Sequence, residues 1–157
     1  MFDIREDSDA ATHRDLVNLL QEYVVADETA GAEAMLTGVA NGVLCGLVAY
    51  VEELPVGCVT ITRGVDTDAE LGRLFVLQKY RDRGIGPVLV EAGMSWAHDR
   101  GLANVGLTII PEQDELAEML THIGYDLEES IISEEYRDGE SVVTLNLDLQ
   151  ERELALV

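Results

Sequence analysis

Hydrophobic positions along this chain alternate between two rhythms, a period of two that marks strands and a period near 3.6 that marks helices. Residues 2–6 read as a short first strand. Ser8 and Asp9 are capping residues, and Leu16, Leu19, Leu20, Tyr23 and Val24 then recur at helical spacing. A weaker helical stretch spans 28–38, ending near Gly38 and Gly42. The β-rich runs 43–51 (VLCGLVAYV) and 56–62 (VGCVTIT) flank the turn Glu52-Glu53-Leu54-Pro55 and predict a hairpin. After a polar break at 63–68, residues 69–77 form another strand, and a glycine-containing loop leads into a helix over 85–100. Its apolar face is Ile85, Val88, Leu89, Ala92 and Trp96, the last assigned to the core, and Arg100-Gly101 stops it. A strand at 103–110, a short helix at 112–122 carrying Leu116, Met119 and Leu120, and two late β segments at 125–136 and 141–149 complete the order. Arg137-Asp138-Gly139-Glu140 joins the last pair.

The order β-α-α-β-β-β-α-β-α-β-β predicts one α/β domain over 1–157. The unit from 69–77 through 85–100 to 103–110 is a right-handed crossover, so its two strands should lie parallel. Hairpins before and after it make the sheet mixed and mostly antiparallel, with about seven twisted strands flanked by about four helices.

Charge changes this picture at one place. The chain carries 31 acidic and 10 basic residues, net −21, and Lys79 is its single lysine. Such a surface repels nucleic acid and anionic membranes. Its even spread along the chain points to salt adaptation of a halophilic kind, with an ordinary acidic protein as the alternative. Yet Arg73, Lys79, Arg81 and Arg83 gather four of the ten basic residues within eleven positions, around the glycine loop. No apolar run reaches the roughly 20 residues of a membrane helix, and the N-terminus lacks a basic-then-apolar leader, so a soluble cytoplasmic protein is expected. Cys45 and Cys58 sit in apolar runs without metal spacing and read as buried thiols.

A strand, a short glycine loop and a helix aim several backbone N–H groups and the positive end of a helix dipole at one point. Gly84 and Gly86 let a bulky anion approach the backbone. The plain alternative is a helix N-terminus with solvated arginines. A phosphate loop of the G-x-x-x-x-G-K-[ST] type is absent, and a dinucleotide fingerprint fails because Leu89 stands where its third glycine belongs.

RDRGIG at 81–86 matches [RQ]-x-x-G-x-[GA], ELGRLFVLQKY at 70–80 leads into it, and IGY stands at 123–125. On these residues, with the VGC hairpin at 56–58 and the paired late strands, the chain resembles the GNAT superfamily of acyl-CoA N-acyltransferases along essentially its whole length. The resemblance implies acetyl-CoA as cofactor, its pantetheine arm on the backbone of Phe75 and Val76. Its diphosphate would rest on the amides of Arg81, Asp82, Arg83, Gly84, Ile85 and Gly86. It implies Glu70 as catalytic base, a backbone N–H near Val76 for an oxyanion, and a small-molecule or protein amine as acceptor. Gly72 would mark a bulge in the cofactor strand, or merely a poorly packed position. A homodimer through the last strands and the tail 154–157 is a further expectation.

Three departures stand out. Pro87 lacks an N–H where relatives offer one to phosphate. Gln113 stands where a cofactor-touching asparagine is usual, and Leu120 where a tyrosine would protonate the leaving thiolate. The enzymatic reading therefore has an alternative, a non-catalytic acyl-CoA sensor. His13, His98 and His122 read as surface or helix-end residues. Tyr23, Tyr80, Tyr125 and Tyr136 read as packing residues, with Tyr125 or Tyr136 a candidate replacement acid.

Overall fold

A computed structural model describes residues 2–26, 43–64, 66–109, 115–137 and 139–149. The expected helix at 28–38, Gln113 and the tail 154–157 lie outside these residues. Strands β1 (Asp3–Glu6), β2 (Val43–Val51), β3 (Leu54–Arg63), β4 (Ala69–Val76), β5 (Asn104–Ile109), β6 (Ile131–Arg137) and β7 (Glu140–Asp148) form one sheet. Its order is β1-β2-β3-β4-β5-β7-β6. Only β4 and β5 run parallel; the other neighbours are antiparallel. Four α-helices accompany it among the described residues: α1 (Ala10–Ala26), α2 (Ile85–Asp99), α3 (Glu115–His122) and α4 (Leu127–Ser130). The mixed, mostly antiparallel sheet expected from the element order is thus present.

Two apolar clusters divide the sheet's faces. The larger joins α2 and α3 to Ala69, Leu71, Val105, Leu107, Leu145 and Leu147. The smaller joins Leu16, Leu19 and Leu20 of α1 to Val48, Tyr50, Cys58 and Phe75. Asp9 caps α1, its Oδ1 accepting the Thr12 N–H at 2.8 Å, which holds its carboxyl below the usual range.

Several expectations shift in detail. The hairpin turn is only Glu52-Glu53, both at positive φ (51° and 69°), while Leu54 and Pro55 already belong to β3. The late β segment does not begin at 125. Tyr125 is buried, Asp126 caps the short α4 by accepting the Glu129 N–H, and β6 starts at Ile131. The core side of α2 is Ile85, Gly86, Leu89, Val90, Gly93, Met94 and Ala97. Val88, Ala92 and Trp96 flank it half-buried, and the Trp96 ring lies 4.0 Å beneath the Arg100 guanidinium. Trp96 is therefore at the helix margin instead of in the core. A glycine-rich helix side hides from an apolar count, because glycine carries no hydrophobic signal. Here Gly93 is what lets α2 approach: a Cβ there would meet Leu71 Cδ2 at 2.8 Å.

Candidate cofactor cleft and active site

The starts of β4 and β5 are locked together by a reciprocal clasp. Asp68 N–H donates to Asn104 Oδ1, and Ala103 N–H donates to Asp68 Oδ2, each at 2.8 Å. Parallel pairing follows for three steps, Ala69↔Val105, Glu70↔Gly106 and Leu71↔Leu107, and then stops. Both strands continue, to Val76 and Ile109, but no longer pair with each other. A V-shaped opening results.

A bulge in β4 sits where the opening begins. Cys58↔Phe75 is followed by Thr60↔Gly72, so β4 carries one extra residue, and Arg73 adopts φ 49°. The bulge thus lies next to Gly72, as the glycine suggested. Its carbonyls are met by side chains instead of a ladder: Thr60 Oγ1 donates to Gly72 O at 3.1 Å, and Cys58 Sγ reaches Arg73 O at 3.8 Å. The extra residue inverts the pleat. Ala69 and Leu71 face α2, yet Phe75, two pairs further on, faces α1.

Backbone direction follows from one bond. Leu77 N–H donates to Val56 O at 2.8 Å, so Leu77 points its polar groups at β3, and alternation sends those of Val76 into the opening. Phe75 spends its N–H and C=O on the β3 ladder. The expected pairing of an arm with the Phe75 backbone is therefore corrected: the groups offered at this edge belong to Leu74 and Val76. The Val76 carbonyl already accepts the Arg81 Nε–H at 2.8 Å, so the N–H is the group that Val76 offers the cleft.

Beyond a 3₁₀ turn (Gln78–Tyr80) comes the loop. Arg81 N–H donates to Gln78 O at 3.3 Å, which removes that amide from the expected anion donors. Asp82 and Gly84 take φ 62° and 80°, and the N-cap of α2 is Gly84, which has no side chain with which to cap the helix. The first-turn N–H groups of Ile85 and Gly86 have no partner within the helix itself, and Pro87 has no N–H. Gly86 is informative. A Cβ there would meet only Glu115 Oε1 at 3.7 Å and Leu74 Cδ2 at 3.9 Å, ordinary contact distances. Alanine would fit the protein and favour the helix by about 1 kcal/mol, so packing does not explain this glycine.

Leu74, Phe75, Val76, Tyr80, Arg81, Asp82, Ile85, Gly86, Glu115 and Leu116 line a cleft of about 320 Å³ between these elements. The Arg83 guanidinium lies 5.2 Å from the Tyr80 ring and that of Arg81 5.8 Å from Phe75. Arg73 is not with them: its guanidinium is 3.5 Å from Thr60 Oγ1 at the bulge. Glu115, which sequence reasoning did not single out, places a carboxylate opposite Gly86; no local motif announces a residue brought there by a separate helix.

Glu70 lies half-buried on the α1 side of the sheet, beside Thr62 and Gly106. Leu120 is wholly buried in the core. Tyr125 OH donates to the Asp148 carbonyl at 2.8 Å and Tyr136 is exposed on β6, which fits packing and surface roles. His13 pairs with Asp7 at 2.9 Å on the surface. On the α1 side a second hollow, about 670 Å³, is lined by Asn18, Gln21, Glu22, Phe75, Leu77, Gln78 and Arg81. Phe75 and Arg81 belong to both walls.

The site is thus a cleft where the sheet splays open beside the glycine-bearing start of α2. Residues 13–125 match the Acetyltransferase (GNAT) family, and the chain belongs to that family. Comparison with curated protein sequences yields no match. Solved structures with the same fold include a proposed N-acetyltransferase from Lactobacillus plantarum, with a TM-score of 0.71 and 20% identity, covering 94% of this chain and 98% of that one. The ribosomal-protein-S18-alanine N-acetyltransferase of Escherichia coli superposes at 0.70 with 14% identity, over 95% and 94%. A GNAT acetyltransferase from Elizabethkingia anophelis, solved with acetyl-CoA bound, superposes at 0.63 with 14% identity, over 94% and 97%. Acetyl-CoA is the acyl donor of the family.

Proposed function

We propose that this chain is an N-acetyltransferase that passes the acetyl group of acetyl-CoA to a primary amine, by direct attack while both substrates are bound. The observation that carries the reading is Gly86. A glycine that packing does not require, at a helix start that lines a cleft, reserves room for a diphosphate. Acetyl-CoA supplies a thioester, an acyl group on a good leaving thiol. The amides of Asp82, Arg83, Gly84, Ile85 and Gly86 hold its anion, with the Arg81 and Arg83 guanidiniums beside them. At molar salt the Debye length falls to about 3 Å, so these short hydrogen bonds carry the binding.

Val76 N–H points a donor at the mouth of the V, where negative charge on an acyl oxygen is stabilised. Glu70 takes the proton that the amine must lose before attack, directly or through water, since an amine of pKa near 10 is protonated at neutral pH. The acceptor enters from the α1 side. The leaving thiol needs little help, because a thiol pKa near 8.5 makes the thiolate tolerable. Leu120, buried in the core, provides no acid, which costs about 10²-fold or more in rate.

That same leucine favours a second reading, a non-catalytic acyl-CoA sensor. The separating measurement is free-thiol release from acetyl-CoA across a panel of amines at several salt concentrations. Release with at least one amine supports the enzyme. Tight acetyl-CoA binding without release from any amine supports the sensor.

A further inference from the structure

Glu115 brings a negative charge into the cleft that the reading above gives to a diphosphate. Its Oε1 lies 3.7 Å from where a Cβ on Gly86 would stand, on the side of the helix start that the glycine leaves open. The same carboxylate lines the cleft together with Arg81, Asp82 and Ile85. The position is anchored. Leu116, the next residue, is buried in the core with Leu120, so α3 is held against the sheet and presents Glu115 to the start of α2. The Glu115 side chain itself is exposed and turns about several rotatable bonds.

A carboxylate is stabilised at the amino end of a helix, where it meets the positive end of the dipole. A diphosphate seeks the same place for the same reason. The two cannot share it, because like charges a few ångströms apart repel and compete for the same N–H donors. A cleft shaped only for the tightest grip on an anion would carry a neutral or basic residue opposite Gly86. This one carries an acid.

We infer that the Glu115 carboxylate stands in for the diphosphate at the start of α2 in the free protein, and competes with it when acetyl-CoA binds. This rests on the acetyltransferase reading above and concerns how that site is controlled. The side chain swings aside as the cofactor enters and returns as it leaves. Affinity for acetyl-CoA and for CoA is lowered alike, so CoA departs faster after transfer. The competition reaches only ligands that carry the diphosphate. Acetyl-pantetheine has the same arm and thioester without it, and escapes.

Glu115→Gln tests this, with Glu118→Gln as its control. Glu118 is the other acid in the first turn of α3, but it lines a separate hollow with Ala117, Thr121 and His122. Both variants remove one charge, so any difference between them reports the cleft and not the net charge. In calorimetry on the whole chain, Glu115→Gln should bind acetyl-CoA and CoA about tenfold more tightly than the parent, and Glu118→Gln should bind them as the parent does. Acetyl-pantetheine should bind all three proteins alike. Without ligand, Glu115→Gln should melt about 1–3 °C below the parent, and with saturating acetyl-CoA that order should reverse. Unchanged or weaker acetyl-CoA binding in Glu115→Gln overturns the inference, as does an equal gain in both variants or an equal gain for acetyl-pantetheine. A parent that binds no acetyl-CoA would sink the acetyltransferase reading and this inference with it. A parent that binds it, beside a Glu115→Gln variant that binds no better, would sink the inference alone.

Discussion

Gly86 and Glu70 carry separable parts of the proposed reaction. Gly86→Ala should stabilise the fold by about 0.5–1 kcal/mol through helix propensity, since the methyl meets nothing closer than 3.7 Å. Acetyl-CoA affinity should fall in the same variant, and Gly86→Glu should abolish it with the fold intact. Calorimetry beside thermal melting reads both effects, and unchanged affinity in the glutamate variant would refute the loop assignment. Glu70→Gln should lower turnover by about 10²-fold, most at low pH where free amine is scarce, with acetyl-CoA affinity unchanged; an unaltered rate would clear Glu70 of the base role. Cys58 is legible independently of function. Burial pushes its thiol up to about 12 from an ordinary 9.0, so the folded state favours the neutral form. Stability tied to it is complete below pH 9 and is lost as pH rises toward 12, where the unfolded chain releases the proton first. A disulfide reagent near pH 8 should therefore leave Cys58 unmodified until denaturant is added, and the urea midpoint should drop less on alkalinisation in Cys58→Ala than in the parent.

Among the elements, the β2–β3 hairpin and the β4 bulge show how local geometry was hidden. The two-residue turn Glu52-Glu53 holds both residues at positive φ, the form that Asn-Gly adopts most readily. Nothing in a Glu-Glu pair predicts it; the twist of the paired strands imposes it. Replacing Glu52-Glu53 by Asn-Gly should stabilise the protein by about 1 kcal/mol and raise the melting temperature by about 2–4 °C. The gain will be trimmed by loss of the exposed Arg5–Glu53 contact, and a lower melting temperature would contradict the turn geometry. Gly72 hinted at the bulge, but a hint is all a glycine provides, because Arg73 takes the strained φ. The bulge is then decisive, since it turns Phe75 toward α1 and sends the polar groups of Val76 into the opening.

At the scale of the molecule, the net charge of −21 in 157 residues sets up self-repulsion that salt screens. Raising KCl from about 0.1 M to about 2 M shortens the Debye length from about 10 Å to a few ångströms. The melting temperature should rise across that range, whereas acetyl-CoA affinity, resting on short hydrogen bonds, should change far less. A melting temperature indifferent to salt would remove the case for salt adaptation. Among the described residues no helix is long and apolar enough to cross a membrane.

The chain's own order of periods was enough for the seven strands, the β4-α2-β5 crossover and the glycine loop that enters α2, because each depends on neighbours within about thirty residues. RDRGIG, the proposed anion loop, was legible for the same reason: it is a run of consecutive residues. Tertiary structure alone decided which donors remain, since the Arg81 amide is taken by Gln78 and the Val76 carbonyl by Arg81. It also placed Glu115, from a separate helix, opposite Gly86. Periodicity assigns a residue to a face. Strand order and register decide which faces meet, and those follow from packing the whole sheet against its helices.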